Sequence, residues 1–116
     1  MAEFASIPFW EQTGIADQQE LKSSVFDVAA YGQVITALKV SAMAGTTKAM
    51  DVTIQHSMDM DQWATLTSFT AVSATTHEIV NSTKFARYIR AVVDTTAASE
   101  NQTVTFSLLG IARDIG

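Results

Sequence analysis

Strict alternation of side-chain character limits this chain more tightly than any other feature. From Met50 to Met58, the residues Met50, Val52, Ile54, His56 and Met58 alternate with Asp51, Thr53, Gln55 and Ser57. A period of two places one set on a single face of a β-strand, whereas a helix would scatter the polar set around its circumference. Burial of Met50, Val52, Ile54 and Met58 together would contribute about 6–12 kcal/mol as an upper bound. A second stretch, Gln33 to Ser41, puts Val34, Thr36, Leu38 and Val40 on one face and Ile35, Ala37, Lys39 and Ser41 on the other, more mixed face.

The rhythm continues through the chain. Trp63 to Val72 reads as a strand carrying Trp63, Thr65, Thr67 and Phe69 on one face. Thr76 to Val80, Phe85 to Val93 and Val104 to Ile111 complete the second half, the last with Val104, Phe106 and Leu108 in register. Turns are expected at Ala44–Thr47 and Met58–Asp61, with a polar loop from Asp94 to Gln102. Gln19 to Val28 reads as a strand whose parity shifts between Val25 and Phe26, as an inserted bulge residue would cause. Seven or eight short strands predict an all-β fold, an antiparallel sandwich or barrel. Residues 1–17 read as a partly extended N-terminal arm, because Pro8 opposes helix among Phe4, Ile7, Phe9 and Trp10. Residues 18–116 then form the sandwich domain.

Composition sets the outer bounds. The 116 residues suffice for one core, and 47% of them are hydrophobic against 16% charged, which opposes disorder. There is no cysteine, so no disulfide or thiolate metal site is expected. Seven Lys and Arg against twelve Asp and Glu leave a net charge of −5, and the cations form no cluster, so a nucleic-acid partner is not expected. Met1 to Phe4 lacks the basic start of a signal peptide, and no apolar run reaches the roughly 20 residues that span a bilayer. No membrane partner is expected, and the chain reads as made in the cytoplasm.

Chemistry-bearing patterns are sparse, and the reading is non-enzymatic. The two histidines, His56 and His77, have no local partner, and no nucleophile elbow, phosphate loop or zinc-binding helix occurs. Asp59 and Asp61 share a turn, where solvation opposes the raised pKa that acid catalysis requires. With Asp51 they make three carboxylates, short of the about six to eight oxygens that calcium takes. No metal or cofactor is therefore expected. Trp63 is expected to pack over the preceding turn. Arg87 and Arg90, three apart in a strand, are expected on opposite faces, one of them paired under a loop. Phe4, Ile7, Phe9 and Trp10 remain as candidate interface residues, with a strand folded on the chain's own core as the alternative.

Two stretches carry a family resemblance. Val52 to Trp63, with Val52, Ile54, Ser57, Asp59 and Trp63, is similar to a strand–turn–Trp unit written V-x-V-x-x-S-x-D-G-x-x-W. Phe85-Ala86-Arg87-Tyr88-Ile89-Arg90 is similar to a later strand written F-x-A-R-Y-V-R. In this order they resemble discoidin-like jelly-roll sandwiches and, more closely, small structural proteins of tailed phages. Met60 stands where that pattern has glycine, so a different turn is expected. The resemblance implies a virion protein, of head decoration or cement type, binding the major capsid protein or other virion subunits. A homo-oligomer is expected with it, a trimer favoured because threefold axes abound on capsids. A carbohydrate-binding or tail-associated adhesion module is the alternative.

Overall fold

The computed structural model describes residues 4–114. Nine strands run in the order β1 (Phe4–Ala16), β2 (Glu20–Lys22), β3 (Phe26–Asp27), β4 (Gln33–Ala44), β5 (Asp51–Ser57), β6 (Ala64–Ser68), β7 (Thr76–Ser82), β8 (Tyr88–Asp94) and β9 (Thr103–Arg113). Among the described residues there is no helix. The strands form two antiparallel sheets, β1-β9-β4-β7 and β2-β8-β5-β6, with β3 also paired to β8. The chain repeatedly crosses between the sheets instead of finishing one first. That interleaving is the jelly-roll arrangement.

The inward parity follows the alternation. Val34, Leu38 and Val40 of β4 face Val52 and Ile54 of β5, Ile89, Ala91 and Val93 of β8, and Val104, Phe106 and Leu108 of β9 in one buried cluster. Met50 and Val72 join it through an isolated bridge outside the named strands, and Phe69 reaches it after β6 has ended. Met58 departs from the expected face. β5 ends at Ser57, which keeps the parity of Thr53 and Gln55 and is buried by the following turn, and Met58 enters that turn 72% exposed. Its share of the expected burial energy is therefore absent.

Residues 4–16, expected as an arm, are a strand of the first sheet. β1 pairs with β9 from Phe4↔Arg113 to Ala16↔Thr103, and Ile7, Phe9 and Ile15 belong to the core. Residues 1–3 of the expected arm and 115–116 of the expected domain lie outside the described residues. The irregularity that suggested an arm has a local cause. Pro8 supplies no backbone N–H, and the register slips between Pro8 and Trp10 and again between Trp10 and Thr13. The slips bring the Trp10 ring edge-on to Phe106, 5.7 Å between centroids.

The expected bulge within Gln19 to Val28 is a break between β2 and β3. Ser23 spans it: its N–H donates to the Ala91 carbonyl (2.9 Å), and its hydroxyl accepts from the Ala91 N–H (2.8 Å). The hydroxyl thus replaces a backbone acceptor, and the chain can shift parity without leaving a buried donor unpaired. Leu21 and Phe26 on either side still pack against the core.

The two ends of the sandwich differ. At the end where β4 leaves and β9 enters, Gln102 and Thr95 are fully buried polar residues. The Gln102 amide accepts from the Ala49 N–H (2.7 Å) and donates to the Ala49 carbonyl (3.0 Å), as a paired peptide group would. The Thr95 hydroxyl accepts from the Gln19 N–H (2.8 Å). This end is closed by polar pairing. At the other end the β3–β4, β5–β6 and β7–β8 connections meet around an open concavity.

Candidate functional site: the outer face of the first sheet

An antiparallel sheet with one face on the core ordinarily turns a polar face to water. The second sheet does so. Its outward rows are Lys22–Val92–Thr53 and Arg90–Gln55–Thr65 across neighbouring strands. Arg90 donates to Gln55 Oε1 (2.8 Å) and lies over the Trp63 ring, 4.2 Å from its centroid.

The first sheet departs from this rule. Register places Pro8, Leu109, Ala37 and Ile79 in one outward row, and Ser6, Ile111, Ile35 and Asn81 in the next. Ile79 is 62% exposed, Leu109 42% and Ile111 37%. Ile35 and Ala37 between them are half-buried. The rows merge into an apolar band across all four strands, and a shallow groove of about 280 Å³ runs along it beside Ser6, Pro8, Glu11, Leu109, Gly110 and Ile111. Gly110 lies on the inner parity, where an added Cβ would lie 3.2 Å from the Ile35 carbonyl oxygen and the Thr36 methyl, so the two strands approach closely beneath the band. Polar groups bound the band. Gln33 accepts from Arg113 and donates to Asn81 Oδ1 (2.8 Å) along one margin, while Lys39 and His77 are neighbours on the other. Contiguous apolar surface rimmed by polar side chains is the ordinary signature of a protein-docking surface.

The four candidate interface residues separate accordingly. Phe4, 72% exposed, lies in the outward row with Arg113 at the margin of the band. Ile7 and Phe9 are 2% and 6% exposed and point into the core, where the Phe9 ring meets Phe26 edge-on at 5.3 Å. Trp10 is half-buried on Phe106. Sequence reasoning missed Ile79, Leu109 and Ile111, although Ile35 and Ala37 on the mixed face of β4 were a visible trace of the same surface. Knowing that β9 and β7 flank β4 was the missing information.

The concavity at the open end measures about 250 Å³ and is lined by Val28, Tyr31, Met58, Phe85 and Arg87 among others. Arg87, just ahead of β8, donates to Asp27 of β3 at 3.0 and 3.2 Å; the pairing that was expected is present, but on the exposed surface and not under a loop. His56 sits half-buried behind it, its Nδ1 accepting the Ala86 N–H at 3.0 Å, so the imidazole is structurally engaged.

The adjoining turn is held by Ser57 and Asp59. Asp59 Oδ1 accepts from the Gln62 and Asp61 N–H groups, both 2.9 Å, and from the Ser57 hydroxyl at 3.0 Å. Contrary to the different turn expected of Met60, this residue adopts φ 65°, the left-handed conformation that glycine would supply in the resembling pattern, and its carbonyl accepts the Trp63 indole N–H (3.2 Å). Trp63 thus packs over the turn as expected. Asp51 opens β5 and Asp59 follows its far end, so the strand holds this pair of carboxylates apart.

The same bonds make the turn sensitive to acid. The Gln62 N–H foremost, then the Asp61 N–H and the Ser57 hydroxyl, hold the Asp59 carboxyl below its ordinary value of 3.8. A carboxyl with a lowered folded-state pKa adds stability that is present above the unfolded value and lost as pH falls through the folded one. The melting temperature is therefore expected to fall as pH drops from about 5 to about 2, and to fall less in Asp59→Asn. Asp27 and Asp94 are lowered too and give the residual slope its same sign. Parallel melting curves for the two proteins across that range would refute this account of the turn.

Comparison with known proteins supports the fold. No family model matches the chain, and no curated protein matches it. Among solved structures, PBSX exported protein XepA superimposes with TM-score 0.68 at 14% identity over 97% of this chain. The chain spans only 37% of that protein's length. The CBM36-1 domain of a multidomain xylanase from the hindgut metagenome of Trinervitermes trinervoides gives TM-score 0.53 at 10% identity, covering 94% of this chain and 96% of that domain. A CBM4 structure gives 0.55 at 12% identity, covering 89% of this chain and 66% of that one. At these identities the likeness is one of β-sandwich fold.

Proposed function

We propose that this chain is a non-enzymatic structural protein of a tailed-phage particle, a head decoration or cement protein docking on capsid subunits. The observation that carries the reading is the apolar band of Leu109, Ile111, Ile35 and Ile79 on the first sheet, against the polar outer face of the second. Burying such a band across a seam between capsid subunits adds favourable contact area where the packaged genome pushes those subunits apart. Phe4 at the margin adds an aromatic anchor. The phage context is supported by the resemblance of Val52–Trp63 and Phe85–Arg90 to small virion proteins, and by a fold shared with XepA. On this reading the chain is made in the host cytoplasm and ends in the virion.

The test is copy number in particles. Virions from the source culture, purified on a density gradient, should carry this chain in fixed ratio to the major capsid protein. A Leu109→Asp variant, unchanged in melting temperature, should be depleted from them at least tenfold. Absence of the wild-type chain from intact particles would sink the proposal.

A carbohydrate-binding reading has one observation in its favour, the open-end concavity whose lining includes Tyr31, Met58 and Phe85. CBM36-1, similar over nearly its whole length, lends it a precedent of fold. It requires a glycan that raises the melting temperature of the wild type and leaves that of Tyr31→Ala unmoved.

A further inference from the structure

Exposed sheet edges invite pairing with other chains, and folded proteins blunt them with proline, bulges, lysine or brevity. Three of the four edges here are blunted. β1 carries Pro8, two register slips and Gln12 at φ 28°. On the second sheet, β6 has five residues and a register slip against β5, while β2 and β3 have three and two residues. β7 has none of these devices. Its seven residues, Thr76-His77-Glu78-Ile79-Val80-Asn81-Ser82, pair with β4 without a slip and contain neither proline nor lysine. In an antiparallel strand alternate residues turn both backbone groups to the same side, so about half of those of β7 face away from β4. Among the described residues, no backbone hydrogen bond reaches β7 from any segment but β4.

We infer that β7 pairs with β7 of a second copy, antiparallel about a twofold axis at Ile79, to make a dimer with one continuous eight-stranded sheet. The sequence of the strand is self-complementary in that register. Ile79 faces its own counterpart, His77 faces Asn81, Thr76 faces Ser82, and Glu78 faces Val80, so all seven residues pair and no like charges oppose. The one carboxylate of the strand is already engaged, Glu78 accepting from the Thr70 N–H (3.0 Å) and hydroxyl (3.3 Å). Continuity of the outer face argues for a second copy over an unrelated strand. The row Leu109–Ala37–Ile79 runs to the β7 edge and, across the axis, meets the same row in reverse. The most exposed residue of that row, Ile79, is the one that pairing covers. The inference stands apart from the virion reading, since it concerns the free protein, and it sets a twofold contact where the capsid axes suggested three copies.

Sedimentation equilibrium of the purified chain tests it, with two charge substitutions on exposed side chains. The wild type should have twice the mass of one chain at micromolar concentration. Ile79→Lys should weaken dimerisation at least tenfold by setting two ammonium groups opposite each other. Leu109→Lys, two strands in from the edge, should remain dimeric. Cooperative unfolding and a wild-type far-ultraviolet circular dichroism spectrum would show that both variants fold, since loss of the dimer by itself lowers the melting temperature. As a check without mutation, amides of β7 should exchange more slowly in the concentrated wild type than in the diluted one. A monomer at about 100 µM, a trimer, or equal disruption by both lysines would overturn the inference, the last pointing to stacking of faces.

Discussion

Replacing Phe9 with alanine is expected to lower unfolding free energy by about 3–5 kcal/mol, the range for removing a buried phenylalanine. Phe9 is 6% exposed, and its ring closes edge-on against Phe26, so the substitution leaves a cavity where β1 of one sheet meets β3 of the other. Phe4→Ala, only five residues earlier but 72% exposed, should change stability by less than about 0.5 kcal/mol. Urea denaturation of the two variants beside the wild type measures both. A loss below about 1 kcal/mol for Phe9→Ala would mean that β1 is not anchored as described. The contrast governs how binding experiments are interpreted. On the proposed capsid-docking role, loss of binding in Phe9→Ala would report damage to the sandwich, whereas the same loss in Phe4→Ala would report the docking surface. Deleting residues 1–17 would strip the partner from one side of β9 and uncover Phe106 beneath Trp10, so truncation is expected to unfold the domain.

Gly45→Ala is expected to cost about 2–5 kcal/mol through backbone strain and overpacking combined. Gly45 has φ 140°, which side-chain-bearing residues rarely adopt. An added Cβ would lie 2.8 Å from the Gln102 Cα and 3.2 Å from its nitrogen, backbone atoms that cannot swing aside as a flexible side chain would. Displacing Gln102 would also disturb its paired bonds to Ala49 and the Asp17 N–H donation to its carbonyl, which close that end of the sandwich. Gly14→Ala is the control, because a Cβ there meets nothing nearer than the Val104 carbonyl at 4.0 Å. It should stay within about 1 kcal/mol of the wild type. Thermal or urea unfolding that ranked the two equally would refute the proposed close approach.

Alternation made most strands readable because side-chain direction in a strand has period two and only one face can leave water. Val34 to Val40, Val52 with Ile54, and Val104 to Leu108 were therefore legible from residue order alone. The turn at Ser57 to Trp63 was legible for a related reason, since its bonds connect residues two or three apart. Reading failed where a long-range neighbour set the outcome. Phe4, Ile7, Phe9 and Trp10 form one apolar cluster in sequence, yet pairing with β9 turns Ile7 and Phe9 inward and leaves Phe4 outside. Met58 fits the alternation and still lies in water, because β5 ends at Ser57 and Met58 belongs to the turn that Ser57 and Asp59 hold.

The candidate docking surface belongs to that second group. Pro8, Ile35, Ala37, Ile79, Leu109 and Ile111 come from four strands spread over most of the chain, and no window of sequence contains them together. Residue order by itself determined the all-β class, the Ser57–Trp63 turn and the inner faces of the central strands, because those follow from interactions between near neighbours. Strand order and register, which only tertiary structure decides, turned scattered apolar residues into one continuous outer face and left β7 as the one unblunted edge among the described residues. The physical reason is that backbone pairing satisfies any side chain equally well. Which strands become neighbours is selected by packing of the whole core, and a surface made by neighbours exists only once that choice has been made.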